Sequence, residues 1–259
     1  MTSGAAHEKD QPSTQPAQES ASDRIDYGPH NPWGTCLVPM VAFLATGMLE
    51  PTKAEGGVAG ALGITQSLYP VLYAIRIALT LGILAWTWPS IRGWLGRPTW
   101  WPPLVGLALV VPWVWLSYIQ REGQWLAGDT GRVGFDPFAH YGAGSTASWA
   151  YLALRGLGLV IVVPIVEELF LRGFLMRFVI REQFWQVPFG FVSGAALATC
   201  GLYAVGSHPA EAAAAVVWFA VMTWIAHTTR KPIDCILAHA ATNLALGVFV
   251  IFSGDWWLL

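Results

Sequence analysis

Charged side chains are scarce in this sequence. Asp, Glu, Lys and Arg make up only 12% of its 259 residues, about half of the roughly 25% that a soluble domain carries. Apolar residues account for 54%, and the mean hydropathy is +0.48. This composition excludes an ordinary water-soluble enzyme and is typical of a protein embedded in a membrane.

Sequence features of several other protein classes are also missing. The 14 Lys and Arg residues form no basic block and are outnumbered by 16 acidic residues, which argues against nucleic-acid binding. The three cysteines, Cys36, Cys200 and Cys235, are widely spaced in or beside apolar runs, so neither a disulfide nor a cysteine-metal site is predicted. No H-E-x-x-H sequence occurs, which excludes the common zinc-protease arrangement.

The chain divides into three parts by composition. Residues 1–30 are rich in Ser, Gln, Pro and acidic residues and are predicted to form a disordered tail. Residues 31–147 are predicted to form N-terminal transmembrane helices with a loop, and residues 148–254 to form the helices that carry the polar motifs described below. The predicted fold is therefore all-α, a polytopic transmembrane helical bundle.

Seven apolar runs follow the tail, each close to the roughly 17 to 25 residues that a bilayer needs. They are predicted to be helices, because backbone groups in lipid must pair within the segment. Ten of the 15 Trp residues lie near the ends of these runs, where indole favours the headgroup layer. An eighth span or a re-entrant segment within 120–147 is the alternative. The runs lie at 33–49, 69–88, 103–119, 148–171, 189–206, 211–227 and 233–252.

The basic residues outside these runs are divided unequally between the two membrane faces. With seven spans, nine Lys and Arg residues fall on the face that carries the amino terminus and three on the other. Because basic loops stay on the cytoplasmic side, the amino terminus is predicted to be cytoplasmic.

A pair of carboxylates lies inside the fourth run, where an ionisable residue is a functional-site hypothesis by default. Glu168 and Arg172 are four residues apart with the acid first, the favourable order for an ion pair on one helix face. Glu167 is rotated about 100° from Glu168, since a helix has ~3.6 residues per turn. Glu167 therefore lacks this partner and suits general-base chemistry near neutral pH. The alternative is a structural ion-pair cluster that joins helices.

Two histidines are candidates to act with Glu167. If 157–184 and 189–208 form an antiparallel helical hairpin, Glu167 and His208 lie at the same depth. His239 shares one helix face with Asn243, four residues later. Across the next turn, however, His239 lies at the depth of about residue 221. This is thirteen residues from His208, or roughly 20 Å along a straight helix at ~1.5 Å per residue. One common site thus requires a tilted or broken helix, and the candidate break points are Gly201, Gly206 and Pro209.

These residues resemble the motifs of the CAAX prenyl protease type II-like intramembrane proteases, also called the CPBP or ABI family. The family pattern is E-E-x-x-x-R, then F-x-x-x-H, then H-x-x-x-N, each on a membrane helix. The first motif occurs at 167–172 and the third at 239–243. The second departs from the pattern, because Ala204 stands four residues before His208 and the nearest aromatic residue is Tyr203.

The resemblance implies an endopeptidase that hydrolyses a peptide bond of a membrane-anchored or lipid-modified protein or peptide. Glu167 would polarise the attacking water, and His208 would help to activate or hold it. Glu167, His208 and His239 are also acceptable zinc ligands with an open water position. A zinc enzyme and a metal-free glutamate protease therefore stay open.

The other motif residues receive supporting roles from the resemblance. His239 and Asn243 would stabilise the oxyanion, whereas Glu168 and Arg172 would hold the first motif together. His239 and Asn243 could also serve only as interhelical hydrogen-bonding residues.

Three further segments are similar to bacterial family members that accompany exosortase-type protein sorting. They are G-F-D-P-F at 134–138, H-P-x-E at 208–211 and the Trp-rich carboxyl end. This similarity implies the bacterial inner (plasma) membrane as location, with membrane lipid and exosortase-type sorting components as partners. The alternative function is a non-enzymatic immunity or assembly partner of a sorting system. A proton-coupled transporter is disfavoured, because the sequence has no internal repeat.

Overall fold

The computed structural model of the protein describes Met1 and residues 27–51, 57–123 and 134–259. Every secondary-structure element in these ranges is helical, which confirms the predicted all-α class. The main helices are α1 (Pro32–Gly47), α2 (Gln66–Arg92), α3 (Pro102–Gly123), α4 (Thr146–Phe178), α5 (Gly194–Ser207), α6 (Pro209–Thr229) and α7 (Pro232–Ser253). Short helical turns lie at Gly57–Ala61, Pro137–Tyr141, Phe184–Gln186 and Trp256–Leu258.

Five of these helices are long and apolar enough to cross a membrane, namely α2, α3, α4, α6 and α7. Helices α1 and α5 coincide with two further predicted runs but are shorter. The polytopic helical architecture is confirmed, whereas the predicted count of seven or eight spans is not. Most of the predicted tail, part of the 120–147 loop, and four basic residues used for the orientation (Lys9, Arg24, Lys53 and Arg132) lie outside the described residues.

The long helix α4 contains two π-type turns, Leu157–Val162 and Leu171–Leu175. They flank the α-helical stretch Val163–Phe170, which carries both glutamates. Pro164 lies at the start of this stretch and has no N–H to donate to the preceding turn, which accounts for the first widened turn. Widened turns of this kind often occur at functional sites, because they change the direction in which side chains point.

The two helices of the predicted hairpin are shorter than expected, and the segment that joins them is longer. Helix α4 ends at Phe178 and α5 begins at Gly194, instead of 184 and 189. The Arg177 side chain folds back and donates to the carbonyl oxygen of Val187 at 2.8 Å, so the connecting segment packs against the helix end. Long-range contacts of this kind have no signal in hydropathy alone.

The predicted break between the fifth and sixth runs is present. Helix α5 ends at Ser207, and His208 follows with non-helical backbone angles (φ −129°, ψ 58°). Pro209 then begins a short 3-10 turn. Because proline cannot donate a backbone hydrogen bond and restricts the residue before it, the chain turns at His208.

Helices α3 and α7 approach each other closely at Gly106. A Cβ atom at this position would lie 2.0 Å from the carbonyl oxygen of Ala238. The Thr242 hydroxyl on α7 donates to the Gly106 carbonyl oxygen at 2.7 Å. A small residue thus lets the two backbones meet, as is common between membrane helices. This contact fixes the position of α7, which carries His239.

Candidate active site

A cavity of about 260 Å³ lies between the helices. Four of the six predicted site residues line it, namely Glu167, His208, His239 and Asn243. The remaining two, Glu168 and Arg172, lie behind its wall, with exposed fractions of 1% and 2%. The structure therefore brings all the motif residues to one region, although they come from α4, α7 and the turn after α5.

The predicted ion pair between Glu168 and Arg172 is formed. One guanidinium nitrogen, Nη1, contacts both carboxylate oxygens of Glu168, at 2.8 and 2.7 Å. The other, Nη2, donates to the carbonyl oxygen of Phe219 on α6 at 3.2 Å. The pair thus joins α4 to α6 and neutralises the Glu168 charge, as a buried carboxylate requires.

The imidazole of His239 lies between the two carboxylates. Its Nδ1 is 3.1 Å from Oε1 of Glu168, and its Nε2 is 3.6 Å from Oε2 of Glu167. The ring packs edge-on against Trp218, with centroids 4.6 Å apart. Since both ring nitrogens and one ring face have partners, the orientation of His239 is fixed by α4 and α6 together.

Tyr203 is a site residue whose role the sequence did not reveal. Its hydroxyl donates to Oε1 of Glu167 at 2.8 Å, and its ring packs against Phe170 and Phe219. The two oxygens of Glu167 therefore have different surroundings, a phenol at one and His239 at the other. The only signal in the sequence was the aromatic residue one position before Ala204.

His208 reaches the cavity from the turn after α5. Its ring packs edge-on against Trp113, with ring centroids 5.5 Å apart. It also packs against the ring of Phe219, with centroids 5.7 Å apart. Its Nδ1 is 2.8 Å from the Ser207 hydroxyl oxygen. Ala204, at the position where the family pattern has its aromatic residue, is fully buried. Glu167 and His208 line the same cavity, and their equal depth stays a prediction.

Asn243 of α7 is anchored to α4. Its side-chain Nδ2 donates to the carbonyl oxygen of Leu159, within the first π-type turn of α4, at 2.8 Å. This bond joins α7 to α4 and holds the amide at the cavity surface. It is also the interhelical bond that the purely structural alternative expects.

Metal binding was one of the two open mechanisms for this site. Among the residues that the structure describes, no three His, Cys, Asp or Glu side chains form a group that could hold a metal ion. Glu167, His208 and His239 line one cavity, and the two nitrogens of His239 face the carboxylates of Glu167 and Glu168. As these described side chains stand, they do not form the three-ligand group that a zinc site needs. Zinc dependence stays a prediction that metal analysis tests.

Comparison with known proteins gives one match. A profile of the family described as Type II CAAX prenyl endopeptidase Rce1-like matches residues 148–245. The matched segment contains all six predicted site residues and runs from the beginning of α4 into α7. No curated protein and no solved structure matches the chain significantly.

The match and the architecture agree with the resemblance noted in the sequence. The matched family is one of proteases, and five helices are long and apolar enough to cross a bilayer. The chain is thus an integral membrane protein, and its residues 148–245 are similar to the type II CAAX prenyl endopeptidase Rce1-like family.

Proposed function

We propose that the protein is an intramembrane endopeptidase that hydrolyses a peptide bond of a membrane-anchored or lipid-modified substrate. The observation that carries this proposal is the position of Glu167 on the cavity wall. One oxygen accepts a hydrogen bond from Tyr203, and the other faces Nε2 of His239. Its neighbour Glu168 is neutralised by an arginine, so Glu167 is the carboxylate left available as a base.

In the proposed reaction, a water molecule lies between Glu167 and the substrate carbonyl carbon. Glu167 takes one proton while the water oxygen forms a bond to that carbon. His239 and Asn243 stabilise the resulting oxyanion, and His208 holds the water from the other side. The proton on Glu167 then passes to the leaving amine as the carbon–nitrogen bond breaks, which restores the carboxylate. Tyr203 positions Glu167 throughout.

Glu168 and Arg172 support this chemistry indirectly. The carboxylate of Glu168 accepts a hydrogen bond from Nδ1 of His239 at 3.1 Å, which fixes the direction of the opposite nitrogen. Nε2 donates to the oxyanion when His239 is the imidazolium ion, in which both nitrogens carry a hydrogen. A donor held in place before the reaction costs little reorganisation when charge develops, so such preorganisation is a major source of rate enhancement.

The test is cleavage of a panel of epitope-tagged, membrane-anchored proteins from the same genome, followed by blotting. We expect a size shift with the unmodified enzyme that is lost in Glu167→Gln and in His208→Ala. Glu182→Gln, the same change at an exposed position outside the cavity, is the matched control and keeps the shift. Continued cleavage by Glu167→Gln at normal protein levels would contradict the proposal.

A second candidate function is a non-enzymatic immunity or assembly partner of a sorting system. The observation in its favour is that Asn243, His239 and Arg172 all make contacts between helices. On this hypothesis Glu167→Gln keeps its biological activity, because the amide preserves the shape and much of the hydrogen bonding of the carboxylate. Biological complementation by this variant, with no cleavage of any candidate, separates the two functions.

We further propose that the protein lies in a bacterial inner membrane with a cytoplasmic amino terminus. The excess of basic residues on that side supports this orientation. Reporter fusions at the amino terminus and after Ser253 test it, and a periplasmic signal from the amino-terminal fusion contradicts it.

A further inference from the structure

The first π-type turn of α4 makes an unusual contact with α7. The turn spans Leu157–Val162, and Pro164 follows it. Within the turn, the carbonyl oxygen of Leu159 accepts a hydrogen bond from Nδ2 of Asn243 at 2.8 Å. A carbonyl group inside a helix ordinarily accepts from an N–H group of the same helix. The bond from a side chain of another helix therefore requires that the usual backbone donor is absent.

Two backbone positions of α4 are the ordinary donors to the Leu159 carbonyl. In an α-helix the donor is residue 163, four positions later, and in a π-type turn it is residue 164, five positions later. The N–H group of Val163 bonds instead to the carbonyl oxygen of Gly158. Residue 164 is proline, which has no N–H group. Both ordinary donors are thus diverted or missing, and Asn243 takes their place.

The open carbonyl also decides which end of the Asn243 amide faces α4. The amide group carries two hydrogens on its nitrogen, whereas its oxygen only accepts. Because the Leu159 oxygen is itself an acceptor, the nitrogen end must face it. One amide hydrogen is used in this bond, and the second stays available to a ligand in the cavity that Asn243 lines.

We infer that Pro164 is a positioning residue for Asn243. By withholding an N–H group, it keeps the Leu159 carbonyl open to the amide and so fixes the amide nitrogen as the donor end. The inference rests on the proposed function in one respect, namely that the second hydrogen of the amide serves the oxyanion. A donor that is fixed before the reaction needs little reorganisation when charge develops on the substrate.

A purely structural role of Pro164 gives different expectations. A proline inside a helix removes a hydrogen bond and crowds the preceding turn, so its replacement by alanine ordinarily stabilises the helix. If Pro164 only shapes α4, its replacement acts on the neighbouring Glu167 and Glu168, and its effect is independent of Asn243. If it positions Asn243, its effect disappears once the Asn243 amide has been removed.

The first measurement is hydrogen exchange of the asparagine side chains, observed by NMR of the purified full-length protein in a neutral detergent. The sequence contains two asparagines, Asn31 and Asn243, so labelling with amide-15N asparagine gives two NH2 groups. Asn31 is exposed and is the reference for free exchange. We expect one hydrogen of the Asn243 amide to exchange about tenfold more slowly than those of Asn31, because it is bonded to a carbonyl group.

Pro164→Ala is expected to abolish this protection. The variant supplies an N–H group at position 164 that competes with Asn243 for the Leu159 oxygen. Pro89→Ala is the matched control, because it also adds an N–H group at an interior helix proline, at an exposed position on α2 outside the cavity. It should keep the protection. Pro164→Ser supplies the same N–H group and takes the place of Pro164→Ala if that variant does not accumulate.

The second measurement is the cleavage rate of the identified substrate. We expect Pro164→Ala to lower kcat by about tenfold or more, as the loss of an oriented oxyanion donor implies, with KM little changed and Tm not lowered. Combining it with Asn243→Ala should lower kcat no further than Asn243→Ala alone, because both changes remove the same interaction. Pro89→Ala should keep the normal kcat.

Four results overturn the inference. They are exchange of the Asn243 amide as fast as that of Asn31 in the unmodified protein, protection that survives Pro164→Ala, an unchanged kcat in Pro164→Ala, and additive losses of kcat in the double variant. The proposed function fails separately, when Glu167→Gln still cleaves substrate. The exchange of the Asn243 amide then still decides whether Pro164 positions it, since that measurement needs no substrate.

Discussion

At the scale of single residues, Tyr203 is the least expected member of the site. Its hydroxyl donates a hydrogen bond to Glu167, while its ring packs against Phe170 and Phe219. The family pattern has an aromatic residue one position later, where this chain has Ala204. A local change of one position has therefore placed a hydrogen-bond donor beside the proposed base.

Tyr203→Phe tests this role, because it removes the hydroxyl and keeps the ring. We expect kcat to fall about tenfold, the equivalent of one hydrogen bond to a charged group, with KM little changed. Tyr141→Phe, a half-buried tyrosine outside the cavity, is the control. The measurement is the cleavage rate of the identified substrate, and an unchanged kcat would refute the positioning role.

The ion pair between Glu168 and Arg172 is the site contact that the sequence predicts best. Both residues lie on one helix, so their spacing of four defines their proximity without any tertiary information. The contacts of His239 with both glutamates could not be predicted in this way. They join residues about seventy positions apart, and they depend on how α7 is placed against α4.

At the scale of helices, that placement depends on close backbone packing. Gly106 on α3 leaves no space for a side chain, since its Cβ would lie 2.0 Å from the Ala238 carbonyl oxygen. Ala238 directly precedes His239. A shift of α7 at this point therefore moves the imidazole away from the two carboxylates.

Gly106→Ala is accordingly expected to destabilise the protein by about 1–3 kcal/mol, the usual cost of overpacking, and to reduce activity more than stability alone explains. Gly82→Ala on α2 is the control, because a Cβ atom added there would have no atom of another residue within 4 Å. Thermal unfolding in detergent and the cleavage rate are the two readouts. If Gly106→Ala behaves like Gly82→Ala, the close contact does not control the site.

Helix α4 shows that hydropathy predicts the presence of a helix but not its ends or its widened turns. The predicted apolar run at 148–171 lies within Thr146–Phe178, and the two π-type turns within that helix were not predicted. Pro164 explains the first turn after the fact, but a proline alone does not specify a widened turn in place of a kink.

At the scale of the whole molecule, the carboxyl-terminal segment closes one side of the cavity. Leu258 and Leu259 line it. Asp255 holds this segment in place, since its carboxylate accepts hydrogen bonds from the Tyr118 hydroxyl and from the Trp257 indole. The hydrogen bond from Tyr118 lowers the pKa of Asp255 below its ordinary value of 3.8.

The docked segment should therefore respond to acid. A lowered pKa means that the ionised form is favoured in the folded state, so this stabilisation is present above pH 3.8 and is lost as the pH falls through the lower folded-state value. We expect acidification to expose the segment to protease and to change tryptophan fluorescence. Asp255→Asn should show these properties at neutral pH, without further change on acidification. A docked segment at neutral pH in Asp255→Asn contradicts the assignment.

The sequence by itself determined the class of the protein and the residues of its main motif. Long apolar runs specify helices because lipid offers no partner for a backbone group, and the spacing of Glu168 and Arg172 specifies a pair because both lie on one helix. Only the tertiary structure decided that Tyr203 and His239 meet Glu167 and that the Asn243 amide meets the Leu159 carbonyl. These contacts depend on helix ends, widened turns and close packing between distant segments, which are set by the whole bundle and not by any local pattern.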